Sequence, residues 1–148
     1  MSLKEQIYED IKTAMRARDS ERLSALRLLS SALKQREVDE RIELADSDVV
    51  AVIDKMLKQR RDSIAQFQAA GRQDLVDKEQ FEVSVLSAYM PQTLSAQEIE
   101  QAVRETIAAT GAQGVKDIGK VMGVLKPKLT GRADLAQVSA MVKARLAG

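Results

Sequence analysis

The chain has 148 residues, is 45% apolar and carries a net charge of +1, with no cysteine, no histidine and four aromatic residues, Tyr8, Phe67, Phe81 and Tyr89. Those absences exclude disulfides, the usual zinc ligand sets and the Ser-His and Cys-His nucleophile pairs. A core limited to Leu, Ile, Val, Met and Ala suits helix packing and argues against a β-sandwich.

Helical spacing runs from end to end, so the expected fold class is all-α. The charged start MSLKEQIYED has no secretory pattern. No apolar run nears the ~18 residues of a membrane span, and a soluble, cytoplasmic protein without membrane contact is expected. The first helix opens at Ser2, with Glu5 three residues on as a capping box. Leu3, Ile7, Ile11, Ala14 and Met15 form its inner stripe, and Asp19-Ser20 breaks it. A second helix runs from about Ser20 to Val38, with Leu23, Leu26, Leu29 and Leu33 on one face. Ala25, Leu28 and Ala32 widen that face, which predicts burial on more than one side. The acidic stretch DERIELADS reads as a loop. A third helix is expected from near Ser47 to Gly71, roughly 36 Å long, which makes the N-terminal part elongated. A fourth covers about Gln73 to Tyr89.

Pro91 disfavours helix at Met90, and Ser95 with Glu98 forms a second capping box. The junction is therefore set between Pro91 and Ser95. It separates an elongated N-terminal helical domain, 1–91, from a small C-terminal three-helix domain, 95–148. The three helices are about Ala96–Thr110, Val115–Lys126 and Asp134–Ala147. Charge divides unevenly across this junction. Residues 1–90 hold 15 bases against 17 acids, and residues 91–148 hold 8 against 5. The excess is concentrated in Lys116, Lys120, Lys126, Lys128 and Arg132, opposed only by Asp117 over residues 115–133. Such a cluster points to a polyanionic partner.

GKVMGVLKPKLTGRAD, residues 119–134, is the least ordinary stretch. Gly119 and Gly123 lie four apart on one helix face and cost roughly 1.5–2 kcal/mol of helix propensity relative to Ala. Either another helix approaches closely there, or a ligand needs bare backbone. Pro127 should stop or kink the helix near Lys126. Gly131 permits a turn of positive φ before the Asp134 cap. The expectation is a short loop holding Lys126, Lys128 and Arg132 beside a helix N-terminus, a setting that favours phosphate. No Walker pattern occurs.

DIGKVMGVLKPKLTGRADLAQVSAMVKARL resembles the C-terminal tail domain of the GatB/YqeY family, which occurs in the GatB chain of the glutamine-dependent aspartyl/glutamyl-tRNA amidotransferase. The shared pattern is Gly119, Lys120, Val121, Met122, then Gly131, Arg132, Ala133, Asp134. RLSALRLLSSALKQREVD, KQRRDSIAQFQAAGRQDL and AYMPQTLS resemble the stand-alone YqeY-like proteins. The resemblance implies two helical domains. In the GatB chain the tail is associated with gripping tRNA, and related segments are attached to some bacterial glutaminyl-tRNA synthetases. It thus implies a tRNA-binding accessory module. The alternatives are an adaptor for a tRNA synthetase or amidotransferase subunit, and a carbon–nitrogen ligase with glutamine as amido-N-donor. The ligase label would come from the shared tail, since no catalytic constellation is visible.

Three further groups complete the candidates. Lys58, Arg60 and Arg61 form either a second basic patch or a solvated face with internal pairs such as Asp54 with Lys58. Arg27 and Lys34 lie two turns apart and are candidates for one groove. Asp39/Glu40 and Asp46/Asp48 are candidates only for weak divalent-ion binding, because EF-hand spacing is absent. No small-molecule cofactor is indicated, and no pattern bears on oligomeric state.

Overall fold

A computed structural model describes residues 1–147. They form seven α-helices and one short 3-10 turn, with no strand among the described residues. The protein is all-α. It divides into two compact units, Met1–Met90 and Pro91–Gly148.

The first unit contains α1 (Leu3–Arg16), α2 (Ser20–Glu40), α3 (Asp46–Ala69) and α4 (Gln73–Ser87). Local chemistry sets the ends. Ser2 Oγ accepts from the Glu5 N–H while Glu5 accepts from the Ser2 N–H, each at 3.2 Å. Asp19 caps α2 by accepting from Arg22 N–H. Gly71, at φ +70°, follows α3 in the left-handed conformation that glycine takes without strain. Ile7, Leu26, Leu29, Leu33, Ile53 and Leu86 are almost fully buried in one core. α3 packs along α4, and α1 packs against α2.

Two expectations are corrected here. Asp39 and Glu40 continue α2, and Asp46 already begins α3, so the loop shrinks to residues 41–45. The i,i+4 contacts Gln35–Asp39 and Arg36–Glu40 hold that last turn together. Leu28 is 47% exposed rather than buried: Ala25, Leu26 and Leu29 face the core, while Leu28 lines a groove between α2 and α4.

The second unit contains α5 (Ala96–Thr110), the 3-10 turn Val115–Asp117, α6 (Ile118–Leu129) and α7 (Leu135–Ala147). Each of its three α-helices packs on the other two. Val103, Val121, Leu125, Val138 and Val142 are fully buried, and Leu129 nearly so. α6 does not stop near Lys126. Pro127 lies inside it, in the last turn. The missing N–H removes one helix bond, but ending the helix there would release the buried Leu129. Thr130 then closes the end, its N–H and its hydroxyl both donating to the Lys126 carbonyl at 3.0 and 2.6 Å.

Among the ion pairs of the first unit, Lys4–Glu37 is the shortest at 2.7 Å and joins α1 to α2. The Lys4 hydrogen bond, followed by that of the Leu44 N–H, holds the Glu37 carboxyl below its ordinary value of 4.5. A depressed carboxyl stabilises the fold above the unfolded pKa, and that contribution disappears as pH falls through the folded value. Glu37→Gln is therefore expected to lower the Tm at pH 7 and to flatten its decline below pH 4.5. Thermal melts across pH 3–7 check this, and an unchanged acid slope would assign the decline to other carboxyls.

Candidate functional site

Burial of Val121, Leu125 and Leu129 turns the opposite side of α6 to solvent. Gly119, Gly123 and Pro127 follow one another at i+4 along that side and are all exposed. Lys120 and Lys126 sit three residues before and after Gly123, about 60° to either side of it and about 9 Å apart along the axis. Lys116, in the 3-10 turn, and Lys128 are exposed as well. None of the four lysines has an ion-pair partner among the described residues. The glycines are not packing residues. A Cβ added at Gly119 or at Gly123 would meet nothing within 4 Å. Of the two explanations open at the level of sequence, close helix approach is removed.

The expected phosphate loop is also rearranged. Lys126 and Lys128 are on α6 rather than in a loop. Gly131 does adopt φ +78° in the turn to α7. Arg132 is half-buried and acts inside the unit. Its Nε–H donates to the Gln92 carbonyl at 3.3 Å, and its own carbonyl accepts from the Leu94 N–H at 2.9 Å. These bonds tie the segment before α5 to the α6–α7 turn. The α7 N-terminus already carries a negative group, since Asp134 Oδ1 accepts from the Ala136 N–H at 2.9 Å. Asp117 accepts from the Gln113 N–H. That bond, followed by the charges of Lys116 and Lys120, holds its carboxyl below the ordinary range.

The second basic group does not form a patch. Lys58 pairs with Asp54 at 3.1 Å. Arg60 turns inward to Glu82 at 3.0 Å and Glu79 at 3.4 Å on α4. These contacts are ionic in distance, but the N–H directions miss the carboxylate oxygens. Arg61 alone remains exposed without an ion pair among the described residues. The two glutamates are residues that sequence reasoning missed. Their i,i+3 spacing puts them on one face of α4, but that spacing does not say which helix answers. Arg27 lines a groove of about 760 Å³ between α2 and α4 with Leu28, Phe81 and Glu82. Lys34 is elsewhere, 6.0 Å from the centre of the Tyr8 ring. The acid pairs serve the fold: Glu40 and Asp48 hold Arg36, Asp39 accepts from Gln35, and Asp46 accepts from the Leu3 N–H. Among the described residues no group of three or more acids is placed to hold a metal ion. No described helix is long and apolar enough to cross a membrane.

A family profile described as Yqey-like protein matches residues 4–146. Three fungal relatives carry the name "Altered inheritance of mitochondria protein 41, mitochondrial". That of Pyrenophora tritici-repentis is 30% identical over 129 residues, covering 86% of this chain and 71% of the relative. That of Eremothecium gossypii is 38% identical over 85 residues, covering 57% and 46%. That of Saccharomyces cerevisiae (strain YJM789) is 37% identical over 103 residues, covering 68% and 56%. The matches thus span about half the length of the last two relatives.

Two stability outcomes follow from the geometry. Gly119→Ala and Gly123→Ala are each expected to stabilise the fold, by about 0.8–1 kcal/mol, because the helix gains propensity and nothing is displaced. Denaturant melts check this, and destabilisation would mean that something packs on the glycines after all. Arg60→Met is expected to cost roughly 3 kcal/mol by leaving Glu79 and Glu82 facing each other with little solvent. A loss within about 0.5 kcal/mol in the same melts would show the two glutamates to be better hydrated than their burial implies.

Proposed function

The chain belongs to the Yqey-like protein family, and on that premise we propose that it is a non-catalytic accessory module that grips folded RNA of the tRNA class by its phosphates. Lys116, Lys120, Lys126 and Lys128 make the contacts. The observation that carries this reading is the set of four exposed, unpaired lysines around a bare helix face. Four cations with Asp117 as the nearby acid, and no ion pair among them, repel one another, and a polyanion removes that repulsion while releasing its own counterions. The two glycines support the same reading. Their cost in helix propensity goes unrepaid inside the fold, whereas a bare backbone lets a large ligand come close. Scarce aromatics disfavour base stacking, so recognition rests on RNA shape and backbone.

A second reading is an adaptor that docks a tRNA synthetase or an amidotransferase subunit. Val115 and Val124, 44% and 39% exposed near the same face, favour it. For a glutamine-dependent ligase no comparable observation stands among the described residues. The RNA reading requires only an aqueous compartment that holds tRNA. The expected cytoplasm meets that need, and so does the mitochondrion in the relatives' names.

Binding of the purified chain to total tRNA is expected to weaken with salt at a log–log slope of roughly 3–4, one for each lysine. Changing any one of Lys116, Lys120, Lys126 or Lys128 to Ala should lower the slope by about one. Arg132→Ala should reduce thermal stability and leave the slope unchanged. Slopes unaltered in all four lysine variants would sink the reading, and salt-insensitive capture of a synthetase without RNA would establish the adaptor.

A further inference from the structure

Pro127 distinguishes α6 from every other described helix, for no other contains a proline. In an α-helix the carbonyl of residue i accepts from the N–H of residue i+4. Proline has no N–H and its ring crowds the carbonyl four residues back. The carbonyl of Gly123 therefore has no donor in its own helix at that position. It belongs to an exposed residue with no side chain, and nothing lies within 4 Å of where a Cβ would stand. A carbonyl without a helix donor turns to water wherever water reaches it. A ligand that covers α6 strips the water and must supply a donor in its place.

The chemistry of the flanks narrows the donor. Lys120 and Lys126 bracket Gly123 evenly, so a ligand whose phosphates meet the two lysines presents the group between them to the carbonyl. A phosphate diester has no hydrogen to give. Ribose does, through its 2′-hydroxyl, and the wide, shallow minor groove of an A-form helix displays those hydroxyls between its phosphate rows. We propose that this site reads the 2′-hydroxyl of an A-form RNA helix, with the Gly123 carbonyl as acceptor and Lys120 and Lys126 on the adjoining phosphates. This rests on the RNA reading above and adds a basis for choosing RNA over other polyanions. Gly119 and Gly123 serve the contact by leaving the backbone uncovered.

The test compares an RNA hairpin with a 2′-fluoro hairpin of the same sequence. The second keeps A-form geometry and phosphate charge but lacks the hydroxyl donor. The full chain is expected to bind the hydroxyl form about three- to tenfold more tightly, with equal salt slopes for both. Pro127→Ala gives position 127 an N–H that pairs with the Gly123 carbonyl inside the helix. That variant is expected to bind both hairpins equally, with its salt slope unchanged and its helicity at least that of the parent chain. Gly123→Ala is expected to weaken binding to both hairpins while raising the Tm, which separates a contact from a structural role. Equal affinity of the parent chain for both hairpins, with a steep salt slope, would overturn the hydroxyl reading and keep the phosphate one. Absence of salt-dependent binding to either would overturn both. A preference retained in Pro127→Ala would move the hydroxyl contact away from Gly123.

Discussion

The roll of α6 about its own axis is the constraint on which the candidate site depends. Val121, Leu125 and Leu129 fill the space left by Val103 on α5 and by Val138 and Val142 on α7. Each full burial of such a side chain is worth about 1.5–3 kcal/mol. Together they outweigh the helix propensity lost at two glycines and the bond lost at Pro127. Rolling the helix by one residue, about 100°, would carry apolar groups into water and bring Lys120 or Lys126 toward the core. A buried ammonium without a partner costs far more than a buried methyl group returns. The lysines and the bare backbone thus face outward as a consequence of packing on the other side.

The two units use charge differently. In Met1–Met90, ion pairs join separate helices: Lys4–Glu37, Arg36–Asp48 and Arg60 with Glu79 and Glu82. Tyr89 adds a neutral version, its hydroxyl donating to the Asp10 carboxylate. Burial and that bond push the tyrosine pKa up. Exposed pairs contribute little to stability, but the partly buried ones set which helices meet. In the second unit Arg145–Glu100 is the one described ion pair. Its helices are held by apolar contact and by the Arg132 bonds to the Gln92–Leu94 segment. Its remaining bases form no ion pair among the described residues.

Much of the fold was legible from local rules. Ser2–Glu5 and Ser95–Glu98 announced two helix starts because both partners of a capping box lie within three residues of each other. α5 falls on its expected span, and Asp54–Lys58 forms as an i,i+4 pair should. The all-α class and the family were likewise readable, the second from separated motifs in one order. The misses share a cause. Periodicity gave no means of seeing that Arg60 answers two glutamates on the next helix, that Leu28 borders a groove, or that Arg132 holds a neighbouring segment. Each of these depends on residues distant in the chain.

Pro127 marks the division most clearly. The order of residues alone requires that a helix through this proline leave one carbonyl without its donor. It also requires that Gly119 and Gly123 share a face and that bases outnumber acids around them. These follow from covalent structure and from the 3.6-residue turn, which act within a few residues. Only packing in three dimensions could establish that α6 continues through the proline and that its glycines meet no other helix. The same holds for Arg132, which is engaged while four lysines stay free. Those outcomes depend on which apolar surfaces find each other, because burial is non-directional and is summed over the whole core rather than read along the chain.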